Sequence, residues 1–215
     1  MIVFADNDIL YKLAAWDLLP LLTETIGAKQ EQVRVLDTLR YILRKPPKYL
    51  SKYGEQMPQM LARYIDGLPL LAADDFDECE TLPIDVSGID EGERVLLAAT
   101  STVEANLFFV STGDKNMMRS LAGAAGYETV TTRVRGRLVC VEQVLWLGMV
   151  RHGCEYIRAR IALCPDCDKA VKIIFGSDLK SPEPQVENGF LSYVRSLQAE
   201  SRGLLHQFEL LPSLD

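Results

Sequence analysis

The stretch MIVFADNDILYKL at residues 1–13 decides the fold class. Its apolar run ends abruptly at Asp6, and a short apolar run bounded by polar residues is typical of a buried strand in a parallel sheet. From Ile9 to about residue 25, apolar side chains recur at steps of three and four, which predicts a helix. The sequence therefore begins with a strand that leads directly into a helix.

Strand and helix patterns alternate along the next hundred residues. Helices are predicted at 30–44, 48–66, 90–101 and 114–125, and strands at 105–112 and 137–141. This alternation predicts an α/β fold of three layers, α/β/α, with a central parallel sheet and helices on both faces. Beyond residue 142 the pattern becomes helical, so we expect an α/β domain over 1–142 and a helical C-terminal extension over 143–215 packed on it.

Composition narrows the class of protein. The 215 residues are 48% apolar and 25% charged, which excludes collagenous, disulfide-framework and disordered chains. Five cysteines without regular spacing fit a reducing compartment, so we expect a cytoplasmic protein. The apolar run at 144–150 is too short for a membrane span, and the acidic start is not that of a signal peptide. The net charge of −7 argues against indiscriminate coating of nucleic acid, but a nuclease with a local metal site is compatible with it.

Polar side chains gather where the predicted strands end. Asp6 and Asp8 follow the first strand, Thr112 and Asp114 follow the strand at 105–112, and Asp90, Glu91 and Glu93 open a helix. Any one of these groups alone is more often a helix cap or a turn. Together they are expected at one edge of the sheet, where close carboxylates repel each other unless a divalent cation lies between them. Mg²⁺ or Mn²⁺ prefers such oxygen ligands and can activate water for attack on a phosphodiester.

Three segments carry a resemblance to a known family. VFADNDILYKL, GIDEGERVLLAA and FFVSTGDKNM together resemble the motifs of PIN-domain nucleases, in the family's order, over roughly residues 1–142. The resemblance implies a parallel sheet of about five strands and Mg²⁺- or Mn²⁺-dependent cleavage of RNA, commonly single-stranded.

The resemblance also assigns roles to particular residues. It implies that Asp6, Glu93 and Asp114 bind the metal ion and that Asp8 joins them as a catalytic acid. Thr112 is expected to orient the loop of Asp114, and Asp90 is expected to support the site. The family usually supplies a further acid from the region after the first helix, and here Asp37 is the only well-placed candidate.

Basic residues suggest where a phosphate backbone could bind. Arg133, Arg135 and Arg137 alternate, and in a strand-like segment they would project from one face as a nucleic-acid-binding rim. A solvated basic loop is an equally good interpretation of the same pattern. Lys115, next to the acidic edge, is a further candidate for a phosphate contact.

Several functions remain open at this stage. A PIN-type ribonuclease would be a toxin–antitoxin or host-defence component, with an antitoxin-like protein partner and a homodimeric state as further expectations. A haloacid dehalogenase-like phosphatase would use Asp6 as nucleophile and Asp8 as acid. A catalytically weak PIN-like domain would bind RNA or a protein partner. Cys164 and Cys167 form a lone CxxC pair, compatible with reduced thiols, a zinc site or a redox switch.

Overall fold

The computed structural model describes residues 1–44, 47–76, 86–104 and 106–208. Its centre is one parallel sheet of five strands in the spatial order β3-β2-β1-β4-β5. The strands are β1 (Ile2–Ala5), β2 (Val33–Leu36), β3 (Leu70–Leu71), β4 (Phe108–Thr112) and β5 (Leu138–Cys140). Val3 of the central strand aligns with Val33 on one side and Phe109 on the other. Because both edges of β1 are paired and helices cover both faces of the sheet, side chains on both sides of this strand pack in the core, which explains its continuous apolar sequence.

Helices cover both faces of the sheet, which confirms the predicted three-layer α/β/α class. They are α1 (Asn7–Ala15), α2 (Leu19–Ile26), α3 (Thr38–Arg44), α4 (Pro47–Tyr53), α5 (Met57–Ile65), α6 (Glu91–Ala99), α7 (Lys115–Gly123), α8 (Glu128–Val134), α9 (Val141–His152), α10 (Cys154–Ile161), α11 (Lys169–Phe175) and α12 (Glu183–Glu200). None of the helices in the described ranges combines the length and apolar character that a bilayer crossing requires.

The predicted helix over 30–44 is wrong in its first half. The segment Val33–Leu36 is strand β2, and the helix α3 begins only at Thr38. Val33, Leu36 and Leu39 have helical spacing, but Val33 and Val35 also alternate with polar residues, and both are β-branched. The parallel pairing of β2 with β1 favours the strand, because a short apolar run fits either structure until its partner is known.

The strand order places the candidate acids. From β1 the chain moves to β2 and β3 on one side of the sheet, and it returns to β4 on the other side. The carboxyl ends of β1 and β4 therefore flank the point at which the direction of winding reverses, where ligands bind in open α/β sheets. Asp6 and Asp114 follow these two strands.

The C-terminal helices complete the core. Every residue of α9 from Val141 to Met149 is buried, and one apolar cluster includes the sheet, α1, α2 and the helices α9 to α12. The chain after α12 then runs beside β5, where the Leu138 amide donates to the Leu204 carbonyl at 3.0 Å and the His206 amide donates to the Leu138 carbonyl at 2.7 Å. This segment covers the outer edge of β5, which would otherwise expose unpaired backbone groups.

Candidate functional site

An acidic cleft opens at the carboxyl edge of the sheet, with about 960 Å³ of empty space. Seven carboxyl groups line it: Asp6, Asp8, Asp37, Asp90, Glu91, Glu93 and Asp114. The three acids assigned to the metal ion are therefore brought together from β1, α6 and the β4–α7 turn. Asp37, which follows β2, shares the same cleft, so the acid that sequence analysis left open also faces this space.

Asp6 lies at the bottom of the site, with 7% of its surface exposed. Its Oδ2 atom accepts a hydrogen bond from Thr112 Oγ1 at 3.2 Å, and Thr112 Oγ1 accepts one from the Asp114 amide at 2.9 Å. Asp114 then caps α7 by accepting from the Asn116 amide at 2.7 Å. One threonine hydroxyl thus joins the acid after β1 to the loop after β4.

Asp90 and Glu93 form a reciprocal cap at the start of α6. Asp90 Oδ1 accepts from the Glu93 amide at 2.8 Å, and Glu93 Oε2 accepts from the Asp90 amide at 2.9 Å. A Cβ atom on Gly92 would lie 2.7 Å from Leu36 Cδ1, so glycine lets this helix end approach β2 closely. Each carboxyl group uses only one oxygen for the cap, so the other oxygen can still face the cleft.

Burial and mutual repulsion disturb the ionisation of two acids. The pKa of Asp6 is raised from 3.8 to about 7, mainly by burial and also by the charges of Asp8 and Asp90. Burial also raises the pKa of Glu93 to about 9, against the opposing hydrogen bond from the Asp90 amide and with added repulsion from Asp6 and Asp114. Near neutral pH, Glu93 therefore holds its proton and Asp6 is partly protonated, because burial and neighbouring acids disfavour their charged forms.

Asp8 differs from Asp6 because a buried lysine neutralises it. Lys12 Nζ lies 2.6 Å from Asp8 Oδ2 and 2.8 Å from Asp168 Oδ2, and it donates to the Gly113 carbonyl at 3.2 Å. Burial alone would lower the pKa of Lys12, but Asp8 and Asp168 outweigh burial and raise it. All three protons of the ammonium group thus have acceptors, and Lys12 fixes both Asp8 and the turn before Asp114.

The turn before Asp114 requires a glycine. A Cβ atom at position 113 would lie 2.4 Å from Asp8 Oδ2 and 3.1 Å from the backbone nitrogen of Ile9. A side chain here would push the Asp8 carboxylate away from Lys12 and would require the start of α1 to shift by a few tenths of an ångström. Gly113 therefore lets the loops after β1 and β4 touch.

Lys115, the candidate for a phosphate contact, does not line the acidic cleft but joins an ionic network beside it. Its Nζ atom lies 2.6 Å from Glu142 Oε1 and 3.7 Å from Asp168 Oδ2, and 4.9 Å from the centroid of the Tyr193 ring. With 14% of its side chain exposed, Lys115 belongs to a buried ionic network that includes the C-terminal extension. Glu142 and Asp168 pair with its charge, and the phosphate contact stays a prediction.

The predicted basic rim at 133–137 is also wrong in its geometry. Arg133 is part of α8 and donates to two backbone carbonyls in the turn after α6, and Arg135 donates at 3.0 Å to a carbonyl just after α12. Arg137 packs against the Phe109 ring, with 5.9 Å from its guanidinium carbon to the ring centroid. It immediately precedes β5, so it lies at the amino edge of the sheet, opposite the acids. The segment is a helix end and not a strand, and none of the three lines the acidic cleft.

Sequence reasoning missed Lys12, Asp168 and Glu142. The four-residue step from Asp8 to Lys12 on one helix was a visible signal for an ion pair. Asp168 gave no such signal, because it reaches the site from the far end of the chain, at the start of α11, where it accepts from the Ala170 and Val171 amides.

The CxxC pair lies just before Asp168. Pro165–Cys167 forms a single 3₁₀ turn, and Cys164 Sγ donates to the Lys52 carbonyl at 3.3 Å. Burial raises the pKa of both Cys164 and Cys167, so both sulfurs favour the thiol form. The pair thus forms part of the packing around α4 and the ionic network.

The donor set of the cleft suits a hard divalent cation. Among the described residues, no three histidine, cysteine, aspartate or glutamate side chains form a ready-made ligand group. The cleft nevertheless supplies only oxygen donors, and two of its acids carry strongly raised pKa values that a bound cation would relieve. The chemistry of the residues therefore fits Mg²⁺ or Mn²⁺, with side-chain adjustment on binding.

Comparisons with protein-family models, with curated proteins and with solved structures find no match to this chain.

Proposed function

We propose that this protein is a Mg²⁺- or Mn²⁺-dependent ribonuclease of the PIN type, hydrolysing RNA phosphodiester bonds. The observation that carries the proposal is the convergence of Asp6, Glu93 and Asp114, from three distant segments, at the switch point of a five-stranded parallel sheet. The raised pKa values of Asp6 and Glu93 support it, because strongly perturbed pKa values are typical of functional sites.

Each residue has a distinct task in this proposal. Asp6, Glu93 and Asp114 would hold the cation, which when bound supplies positive charge for the phosphodiester and for the attacking water. Thr112 keeps Asp6 and the Asp114 loop in register through its hydroxyl group. Asp6 and Glu93 must lose their protons before the cation binds, so cation affinity increases as the pH rises.

The pairing of Asp8 favours a nuclease over the phosphatase alternative. A haloacid dehalogenase-like enzyme would need Asp8 as a proton donor and acceptor at the substrate. Here Lys12 Nζ lies 2.6 Å from one of its oxygens, and Tyr53 donates to the other at 2.9 Å. A carboxylate with both oxygens engaged is better suited to orienting the loop than to proton transfer.

The wider role belongs to the same proposal. We place the protein in the cytoplasm, supported by the free thiols of the four described cysteines. A toxin–antitoxin or host-defence role, with an antitoxin-like partner and a homodimer, follows from the motif resemblance alone.

A cleavage assay tests the proposal. Wild-type protein and the variants Asp6→Asn and Asp114→Asn are incubated with single-stranded RNA, duplex RNA and p-nitrophenyl phosphate, in Mn²⁺, Mg²⁺ or EDTA. Asp66→Asn is the matched control, since Asp66 is exposed and precedes β3 at the opposite edge of the sheet. We expect cation-dependent RNA cleavage by the wild type and the control only, with a loss of at least about 100-fold in both cleft variants.

Each other outcome points elsewhere. Hydrolysis of p-nitrophenyl phosphate without RNA cleavage would replace the nuclease with the phosphatase. RNA binding without cleavage in either cation would support a catalytically weak RNA-binding module. Equal cleavage by wild type and Asp6→Asn would show that Asp6 takes no part in the reaction.

A further inference from the structure

Two polar atoms beside the acidic cleft have no hydrogen-bond partner in the described part of the chain. Asn7 and Tyr11 are four residues apart on α1, so they share one face of the helix, and both line the cleft. The Tyr11 hydroxyl and Asn7 Oδ1 are buried atoms without a hydrogen-bond partner among the described residues. Tyr11 as a whole is 4% exposed, and Asn7 Nδ2 donates to Thr38 Oγ1 at 3.4 Å. One helix face therefore presents an unused donor and an unused acceptor at the same site.

Such atoms call for an explanation, because buried polar groups in folded proteins almost always have partners. Burial and the electrostatic influence of Tyr49, Asp6 and Asp8 raise the pKa of Tyr11 far above its usual value, so its hydroxyl keeps its proton. It is a neutral donor beside carboxylates, and it donates to none of the described residues. Asn7 supplies the complementary group one helical turn away.

Ribonucleotides offer the matching pair of groups. Phosphate oxygens accept hydrogen bonds, and the ribose 2′-hydroxyl donates one, whereas DNA offers the acceptor without that donor. A neutral donor is also suited to a phosphate beside an acidic cluster, because it adds attraction without competing for the cation.

We infer that Asn7 and Tyr11 form a ribonucleotide subsite, in which the Tyr11 hydroxyl donates to a phosphate oxygen and Asn7 Oδ1 accepts from the ribose 2′-hydroxyl. The inference rests on the proposed function, since it assigns the substrate contacts of that cleft. Neither atom is open to water in the free protein. The substrate must therefore displace the half-buried Tyr49 side chain, which borders the cleft and whose ring centroid lies 5.2 Å from that of Tyr11.

Binding separates the subsite from the cleavage reaction. Fluorescence anisotropy gives the affinities for a labelled single-stranded RNA and for DNA of the same sequence, with Ca²⁺ as the oxygen-seeking cation. The variants are Tyr11→Phe and Asn7→Ala. Tyr64→Phe is the matched control, because the Tyr64 hydroxyl is also buried and has no partner within the described ranges, but it lies on α5, away from the cleft.

The two variants have different expected signatures. Wild-type protein binds RNA more tightly than DNA. Asn7→Ala weakens RNA binding by about 3- to 10-fold and leaves DNA binding unchanged, whereas Tyr11→Phe weakens both by a similar factor. The Tm of Tyr11→Phe stays equal to or rises above that of the wild type, because the lost hydroxyl made no bond in the free protein. Tyr64→Phe shares this effect on Tm but keeps both affinities.

Several results would overturn the subsite. If the wild type binds neither nucleic acid, or binds RNA and DNA equally, the cleft has no ribose contact. Unchanged affinities in both variants would mean that neither atom contacts the nucleic acid. A fall in affinity in Tyr64→Phe equal to that in Tyr11→Phe would show a general effect of removing a buried hydroxyl. A wild type that binds RNA selectively but does not cleave it in Mn²⁺ would refute the nuclease proposal and leave the subsite standing.

Discussion

Replacing Asp6 by asparagine should make the metal-free protein more stable while abolishing the proposed cleavage of RNA. The pKa of Asp6 is about 7 in the folded protein against 3.8 for an unperturbed carboxyl group. Folding therefore binds a proton between these two pH values, so the penalty for burying Asp6 grows as the pH rises above 3.8 and is complete above about pH 7. At about 1.4 kcal/mol for each pH unit between the two pKa values, the upper limit is about 4 kcal/mol.

The expected gain is smaller than this limit. Local relaxation and water reduce such penalties, so we expect Asp6→Asn to raise the free energy of unfolding by about 2 kcal/mol at pH 8. The asparagine can keep the contact with Thr112, since an amide oxygen also accepts a hydrogen bond. The gain should shrink by at least about 1 kcal/mol at pH 5, where the folded wild type holds the proton on Asp6.

Urea unfolding in EDTA at pH 5 and pH 8 measures this difference. The control is Asp8→Asn, the same chemical change two residues away. It should lower the free energy of unfolding at pH 8 by about 1–3 kcal/mol, because Asp8 is paired with Lys12 at 2.6 Å. A destabilised Asp6→Asn at pH 8, or a gain that does not change with pH, would refute the electrostatic reasoning.

Three further predictions concern the network, the cation and the extension. Asp168→Asn should lower the free energy of unfolding by about 3–5 kcal/mol, because Lys12 loses its second buried carboxylate; a loss below about 1 kcal/mol in urea unfolding would contradict this. Mn²⁺ should raise the Tm at pH 8 by more than at pH 5.5, because Asp6 is protonated at pH 5.5 and ionised at pH 8, and the cation displaces the proton of Glu93 more easily at the higher pH; equal shifts in differential scanning fluorimetry would exclude these acids as ligands. Deleting residues 143–215 should give an aggregating product, because α9 and the cover of β5 are lost; a soluble fragment with full activity would show that the extension is dispensable.

The parts of the fold that sequence analysis predicted correctly are those set by local pattern. The strands β1 and β4 are short apolar runs that end in polar turns, and such ends are visible without knowledge of the partners. The strand β2 was missed because VRVL is too short to distinguish a strand from a helix turn until β1 lies beside it. The strand prediction at 133–137 was wrong for the opposite reason. Three arginines alternate there as they would in a strand, but the segment contains the end of helix α8.

The same limit explains what was missed in the site. Asp6 and Asp8 look equivalent in the sequence, but only Asp6 is left among other acids, because a lysine one turn along α1 neutralises Asp8. That lysine is held in turn by Asp168, from a helix more than 150 residues further along the chain. Which aspartate stays uncompensated thus depends on a long-range contact that local patterns do not encode. The C-terminal extension therefore does more than cover apolar surface, because its Asp168 holds the lysine that pairs with Asp8 and leaves Asp6 without a cationic partner among the described residues.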